Sequence, residues 1–401
     1  MSVSTGEMER AAVQLVAWCV AIAWCVRTWQ IARFTPQIPD LRESGWDIAP
    51  SEAPTLTVVV PARDEATNIA ETLDSLVASD WHHLHVVAVD DRSSDGTGAI
   101  VDAYAGRFRH ILDALHIVDL PEGWLGKTHA LFVATERSQS EYLLFTDADV
   151  VFSSSILRRA LAYAKASQAD HLVVLPTMQV KSVGEGALLG FFQSFGAWAT
   201  RLWRVSDSGS RRDVIGVGAF NLVRRGALEA IGGWAPQRLA ILEDVTLGRR
   251  MKAAGLRQRV AFAPGAVQVH WAKGVKGLMG VMTKNMFSAF NFRPFLVLLT
   301  CVWMTVFYLA PLAELIWRPT LLPGVIVLAC LAVVYRVMGK ISEIDARYVC
   351  LYPLGVFAFM GTMLRSMTAV LWRGGVVWRG THYDLRELRH HNSPFLWGSQ
   401  K

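Results

Sequence analysis

The chain has 401 residues, of which 52% are hydrophobic and only 18% charged, with 15 Trp and a formal net charge of +6. So apolar a composition excludes a wholly soluble or disordered protein, and the length accommodates one α/β domain of about 250 residues plus membrane-embedded material. The positive charge clusters beside apolar runs, at Arg27, Arg33, Arg318, Arg336, Lys340, Arg347, Arg373 and Arg379, where it orients helices and meets anionic lipid. No recognition motif accompanies it, so no nucleic-acid partner is expected.

Residues 11–26 are uncharged, lie between Arg10 and Arg27, and with Thr28 and Trp29 approach the roughly 20 residues a helix needs to cross a bilayer. They predict a transmembrane anchor over 1–30; no small-x-small cleavage site precedes Arg27, which argues against a cleaved secretory signal. A Pro-containing linker spans 31–54. The β-branched run 55–60 reads as a buried strand entering Pro61-Ala62-Arg63-Asp64-Glu65, and Ile69, Leu73, Leu76 and Val77 recur on one helical face. Residues 86–89 form a second strand, which leads into Asp90-Asp91-Arg92-Ser93-Ser94-Asp95-Gly96-Thr97 and a helical pattern over 100–108. Residues 116–120 and 128–138 make a third pair, and a fourth strand, 142–146, carries Asp147-Ala148-Asp149. Strands alternating with helices imply parallel βαβ units with right-handed crossovers, here an α/β domain over 55–294. Both acidic clusters then follow C-terminal strand ends, where open parallel sheets bind ligands.

The segment 186–204 is rich in Phe and Trp (Phe191, Phe192, Phe195, Trp198, Trp203) and carries Arg201 and Arg204 at its end. That pattern fits a helix lying in the membrane interface or a buried core helix, and a second interfacial helix is expected near 272–292. The Ser/Arg/Gly-rich stretch 206–213 cannot bury apolar surface and reads as a mobile loop. Three apolar runs follow: 295–317, broken by Pro311 and Glu314; 321–335; and 348–372, interrupted by Arg365. They predict transmembrane helices over 295–372, and Arg373, Arg379, Arg386 and Arg389 favour a cytoplasmic tail over 373–401. Three crossings would put that tail opposite a cytoplasmic domain, so either one run is re-entrant or interfacial, or the tail lies on the far side. Cys19, Cys25, Cys301, Cys330 and Cys350 all lie in apolar runs without a CxxC pair, and a domain free of cysteine is compatible with the cytoplasm.

Asp147 and Asp149 lie two residues apart at a strand end, so both carboxylates can face one divalent cation. The loop from Asp90 to Thr97 offers acceptors for a base N–H and ribose hydroxyls. Glu243 and Asp244 open a helical pattern that stops at Gly255; taken alone, they read as a capped helix start.

In order, Pro61-Ala62-Arg63-Asp64-Glu65, Val89-Asp90-Asp91-x-Ser93-x-Asp95-Gly96-Thr97, Gly126-Lys127-x-x-Ala130-Leu131, Thr146-Asp147-Ala148-Asp149, Gly218-Ala219-Phe220, Gly232-Gly233-Trp234 and Glu243-Asp244 resemble the motifs of the family 2 (GT-A fold, inverting) glycosyltransferases, over roughly residues 55–260. The apolar tail and Trp378-Arg379-Gly380-Thr381-His382-Tyr383 are similar to hopanoid-associated, carotenoid and ceramide glucosyltransferase-like members. The resemblance implies a Rossmann-like, mostly parallel sheet in which Ala62, Arg63, Glu65 and Asp91 hold a nucleotide-sugar, with Asp90 supporting that loop and Lys127 near the diphosphate. It implies Asp149 as the main ligand of a Mg2+ or Mn2+ ion, with Asp147 beside it holding ribose or metal-bound water, and Asp244 as general base. Gly233, Trp234, Glu243 and Trp271 would face the acceptor, and His270 is a candidate for the metal or the diphosphate. The Gln/Arg-x-x-Arg-Trp motif of processive members is absent, with Val269-His270-Trp271 and Thr283-Lys284-Asn285-Met286-Phe287 in the corresponding region, which argues against polymer synthesis.

The resulting expectation is a multi-pass plasma-membrane enzyme with a cytoplasmic catalytic domain, moving a sugar from a nucleotide-sugar, a UDP-sugar first, to a hopanoid, carotenoid or ceramide-like lipid. Its rivals are a polyprenyl-phosphate sugar transferase or polysaccharide synthase, and an inactive sugar-nucleotide-binding membrane protein.

Overall fold

A computed structural model describes residues 5–50 and 52–391; residues 392–401 of the expected tail lie outside the described residues. Helix α1 (Thr5–Phe34) presents Val20, Trp24 and Ile31 inward and Leu15, Ile22 and Trp29 outward. The linker behind it is stitched to the domain, because Leu41 N–H donates to the Phe262 carbonyl and Phe262 N–H to the Pro39 carbonyl, both at 2.8 Å.

The α/β domain alternates β1 (Leu56–Ala62), α2 (Ile69–Val77), β2 (Leu84–Asp91), α3 (Thr97–Arg107), β3 (Leu112–Ile117), α4 (Gly126–Glu136), β4 (Tyr142–Phe145), β5 (Val150–Phe152), α5 (Ile156–Ala166), β6 (His171–Leu175) and β7 (Thr177–Met178). It continues through α6 (Val183–Ala199), β8 (Asn221–Arg224), α7 (Arg225–Ala230), α8 (Glu243–Ala253), β9 (Gln258–Phe262), β10 (Val267–Val269) and α9 (Gly274–Ala289). The main sheet has the order β3-β2-β1-β4-β8-β6-β9, parallel except for β8, and β5-β10-β7 form a small second sheet.

Both faces of the main sheet are covered, which is why its strands are apolar at successive positions. Side chains alternate sides along a strand: Val58 and Val60 pack with Ile69, Leu73 and Leu161 under α2 and α5, whereas Val59 packs with Leu131, Leu228 and Leu247 under α4, α7 and α8. The chain winds from β1 outward to β3 and returns to β4 on the other side of β1. This leaves a crevice at the C-terminal ends of β1 and β4, the switch point where such sheets bind ligands.

Beyond α9 come α10 (Pro294–Met304), a π-helical turn over Thr305–Leu309, α11 (Ala310–Glu314), α12 (Arg318–Ser342), α13 (Tyr352–Arg373), the hairpin β11 (Gly375–Trp378) and β12 (Thr381–Asp384), and α14 (Leu385–His391). Among the described residues, four stretches are long and apolar enough to cross a membrane: Thr5–Gln37, Pro294–Glu314, Arg318–Ser342 and Ala346–Arg373. The last is unlike the others at both ends. Tyr348 near its start packs against Gly186 in the first turn of α6, and the hairpin after it enters the crevice. Between them, the Ser366 hydroxyl joins α13 to α9 by accepting from Phe287 N–H at 3.0 Å, while Arg365 is exposed in mid-helix.

One expectation changes, and one of two open readings gains support. The segment 206–213 is tied down: Arg201 grips Asp213 at 2.8 and 2.9 Å, and the Lys252 ammonium donates to the carbonyls of Asp207 and Ser210 at 2.8 and 2.9 Å. Charge pairing across elements holds the loop where apolar burial could not. Helix α6 is also covered on most sides, with Leu188, Phe191 and Ser194 buried against α13, α12 and α9.

Candidate active site

The loops after β1 and β2 are zipped together. Asp64 takes the left-handed region with φ 55° and accepts from Ser94 N–H at 2.8 Å. The Ser93 hydroxyl accepts from Asp64 N–H at 3.0 Å, Thr97 from Glu65 N–H at 2.8 Å and Asp95 from Ala66 N–H at 3.0 Å. The polar residues of the second motif are therefore spent on the backbone of the first, leaving Asp91 as the carboxylate from that loop that lines the crevice. Arg92 grips Asp91 at 2.8 Å, and Gly126 is needed because a Cβ there would strike the Asp91 carboxylate. Asp90 supports the loop from behind, accepting from Ser93 N–H at 3.1 Å and facing His116 at 3.2 Å.

From β4, Asp147 and Asp149 enter the crevice, and a Cβ at Gly218 would push the Asp147 carboxylate out of its place. Lys127, in the first turn of α4, bridges Asp147 and Glu243 at 2.5 Å each. Burial opposes its charge, but the two carboxylates outweigh that and hold the ammonium above its ordinary range. The expected diphosphate contact is thus already engaged with protein. Burial opposes Asp147 ionisation as well, yet Lys127 keeps it below the usual carboxylate range. Asp149 is pushed up to about 7, by burial first and then by the charges of Asp147 and Glu65. Asp244 is also pushed up to about 7, by burial and then by Glu243, with one oxygen accepting from Val245 N–H at 2.7 Å.

Ala62, Arg63, Glu65, Asp91, Lys127, Asp147, Asp149, Glu243, Asp244, His270 and Trp271 line one cavity of about 1550 Å³. His270 faces Glu185 at 3.4 Å, and Trp271 packs on Phe192 with ring centroids 5.5 Å apart. Gly233 and Trp234 do not line it. Trp234 is 2% exposed and edge-on to Phe145 at 4.9 Å, so this indole supports β4 within the core. Away from the carboxylates the cavity becomes an apolar limb bounded by Phe192, Phe195, Met286, Met338, Ile341 and Phe359, from α6, α9, α12 and α13.

The C-terminal hairpin completes the site. Trp378 and Thr381 pair across the two-residue turn Arg379-Gly380, whose φ values of 48° and 80° match a type I′ hairpin. An arginine at the first of these positions is strained, and Arg379 reaches Glu65 at 2.8 Å. Trp378, Arg379 and Tyr383 line the cavity, and the Lys284 ammonium lies over the Trp378 ring at 3.9 Å.

The profile described as "Glycosyltransferase like family 2" matches residues 53–292. The chain belongs to glycosyltransferase family 2. It is 22% identical over 355 residues to a 4,4'-diaponeurosporenoate glycosyltransferase of Staphylococcus aureus, covering 82% of this chain and 88% of the relative. It is 27% identical over 269 residues to the beta-monoglucosyldiacylglycerol synthase of Synechocystis, covering 61% and 54%, and 27% identical over 250 residues to the probable glycosyltransferase YdaM of Bacillus subtilis, covering 58% and 53%. The chain thus spans about half the length of these last two relatives. The mannosyltransferase PcManGT of Pyrobaculum calidifontis, solved with GDP-Man and Mn2+, superposes with a TM-score of 0.53 at 17% identity over 90% of this chain and 99% of that one. The α/β domain of this glycosyltransferase has the GT-A fold.

The carboxylates fit a divalent cation. Asp149 is raised by burial first and then by the charges of Asp147 and Glu65, and all are hard oxygen donors suited to Mg2+ or Mn2+. Among the described residues no three His, Cys, Asp or Glu side chains form a closed cage, which suits an ion that takes one or two protein carboxylates and completes its shell from phosphate and water. His270, paired with Glu185, belongs to no such cage.

Lys284 lies in the region where the sequence offers substitutes for the missing Gln/Arg-x-x-Arg-Trp motif, whereas no local pattern marks Arg379 as a site cation. The Arg-Gly pair between Trp378 and Thr381 was the available signal for a tight hairpin; nothing in the sequence indicated that it folds back across more than 300 residues to Glu65.

Proposed function

We propose that this family 2 enzyme is an inverting transferase that moves a sugar from a nucleotide-sugar, a UDP-sugar first, onto an apolar lipid acceptor. The observation that carries this is the single cavity joining the carboxylate cluster to the apolar limb between α6, α9, α12 and α13. A donor with a charged diphosphate suits one end and a hydrocarbon chain suits the other. The names of the S. aureus and Synechocystis relatives, both lipid-type glycosyltransferases, agree.

In this mechanism Ala62, Arg63, Glu65 and Asp91 seat the nucleotide, and Asp149 with Asp147 would hold the cation. When bound, that cation supplies charge stabilisation to the departing diphosphate. Lys127 fixes Asp147 and Glu243 relative to each other, so the strand β4 loop and the start of α8 keep one geometry. Asp244, with a carboxyl poised near neutrality, takes the proton of the acceptor hydroxyl as that oxygen attacks the anomeric carbon. One displacement inverts the configuration.

The topology follows from the hairpin. A tail that lines the catalytic cavity lies on the catalytic side, so α1, α10 with α11, and α12 cross while α13 lies along the interface, its exposed Arg365 reaching headgroups. The domain and tail then face the cytoplasm, where nucleotide-sugars are made. The test is to incubate the purified full-length protein with a panel of nucleotide-sugars and a total lipid extract, and to weigh the products. A lipid carrying one added hexose is the expected result; a polymer, a polyprenyl-phosphate sugar, or no product with any donor would refute the reading.

A further inference from the structure

Besides Arg63, the cations Lys127, Lys284 and Arg379 line the cavity that holds the carboxylates, and these three are not equivalent. Lys127 has three N–H donors and places its charge between Asp147 and Glu243 at 2.5 Å each. Arg379 meets a single carboxylate, Glu65, through one terminal nitrogen at 2.8 Å, leaving most of its five-donor fork uncommitted. Lys284 is held by an aromatic face, 3.9 Å above the Trp378 ring. Such a contact orients an ammonium without consuming its N–H donors. Lys284, Trp378 and Arg379 all line the cavity that contains Asp147 and Asp149.

We propose that Lys284, seated on Trp378, and Arg379 beside it form the anion subsite that takes the donor's diphosphate, while Lys127 is a positioning residue. This rests on the nucleotide-sugar reading above. Burial brings Lys284 down to about 8, with Lys127 and Arg379 lowering it further against the pull of Glu243 and Asp147, as expected where several cations share one end of a cavity. The strained positive φ of Arg379 holds its guanidinium at the mouth of the cavity, and strain of this kind is retained where a site requires it. The two cations come from α9 and the C-terminal hairpin, so the donor subsite is complete only when the end of the chain has folded back onto the GT-A domain.

The test is the affinity of the full-length protein in nanodiscs for UDP and for GDP with Mn2+ present. Lys284→Met should weaken nucleoside diphosphate binding about 10- to 100-fold, the loss expected for a charge-assisted hydrogen bond. Lys284→Arg should stay within about threefold of wild type, since a guanidinium also stacks on indole and donates to phosphate. Arg379→Met should weaken binding about 10-fold with an unchanged melting temperature. Wild-type affinity in Lys284→Met would overturn the assignment while leaving the transferase reading intact. Equal weakening in Lys284→Met and Lys284→Arg would also overturn it, by reducing Lys284 to packing against Trp378. If the wild-type chain binds neither nucleotide, the donor reading fails and this subsite with it.

Discussion

Replacing Asp244 by Asn separates chemistry from stability in a way that few substitutions can. The carboxyl sits at about 7 against an ordinary 3.8, roughly 3 pH units, which at 1.36 kcal/mol per unit is an upper bound of about 4 kcal/mol carried by the folded state when Asp244 is ionised. Because the side chain faces the solvent-accessible cavity, about 2 kcal/mol is the better figure. The folded value lies above the unfolded one, so wild-type stability falls as pH rises from about 4 to about 7 and levels off above that. Asp244→Asn removes this term, and above pH 7 the variant should melt higher than wild type, with the difference vanishing near pH 4. Turnover should move the other way: an amide cannot accept the acceptor's proton, so kcat should drop about 100-fold or more while nucleoside diphosphate affinity stays within about twofold. With Mn2+ saturating, so that the ionisation of Asp149 is taken up by metal binding, wild-type kcat/KM should rise with pH through about 7, and the residual rate of the variant should not. The assays are thermal melting across pH and release of nucleoside diphosphate in the presence of lipid acceptor. Near-normal transfer by the folded variant would refute the base assignment; it would mean that Asp244 only opens α8, where Asn substitutes well for Asp.

Asp149→Asn, which removes a carboxyl likewise pushed up to about 7 by burial, should melt somewhat higher than the metal-free wild type above pH 7 and weaken Mn2+-dependent binding of nucleoside diphosphate by at least about 10-fold, as read by calorimetry with and without EDTA. Gly218→Ala places a Cβ against the Asp147 carboxylate and should cut transfer by about 10-fold or more, whereas Gly233→Ala, open on its Cβ side but at φ 65°, should cost stability with little change in kcat. Ile341→Trp, which fills the apolar limb, should slow transfer to lipid about 10-fold without altering nucleotide affinity; equal loss of both would mean that the limb is not the acceptor's path. In intact cells, cysteines at the exposed Ser94 and Arg386 should resist an impermeant thiol reagent, and one at Ile316, 88% exposed between α11 and α12, should react. Opposite labelling of Ser94 and Arg386 would show that Ala346–Arg373 crosses after all.

Much of the fold was legible in order and type because it rests on local periodicity. Val58, Val59 and Val60 in succession announce a strand covered on both faces, and Ile69, Leu73 and Leu76 a helix with one inward stripe. β3 was placed late, at 116–120 in place of Leu112–Ile117, because on this edge strand Asp113 and His116 are exposed and interrupt the apolar pattern that marks interior strands. Asp91, Asp147, Asp149, Glu243 and Asp244 were found because they follow strand ends or open a helix, positions that local pattern defines. Trp234 was misread for the opposite reason: its motif neighbours are glycines of a turn, and whether an indole faces a substrate or Phe145 depends on which layer lies beneath that turn.

By itself the sequence determined the membrane stretches, the alternation of strands and helices, the family and the acidic residues at the strand ends, all properties of short segments and their spacing. Only the tertiary structure decided which charges meet. Lys127 joins Asp147 to Glu243, Arg201 pins Asp213, and Arg379 crosses the chain to Glu65, pairings fixed by how the sheet, the apolar helices and the final hairpin pack. The same packing makes Ala346–Arg373, by hydropathy a spanning helix, bracket the site at both ends, because hydropathy measures transfer of a segment into an apolar medium and carries no information about where its neighbours in sequence must return.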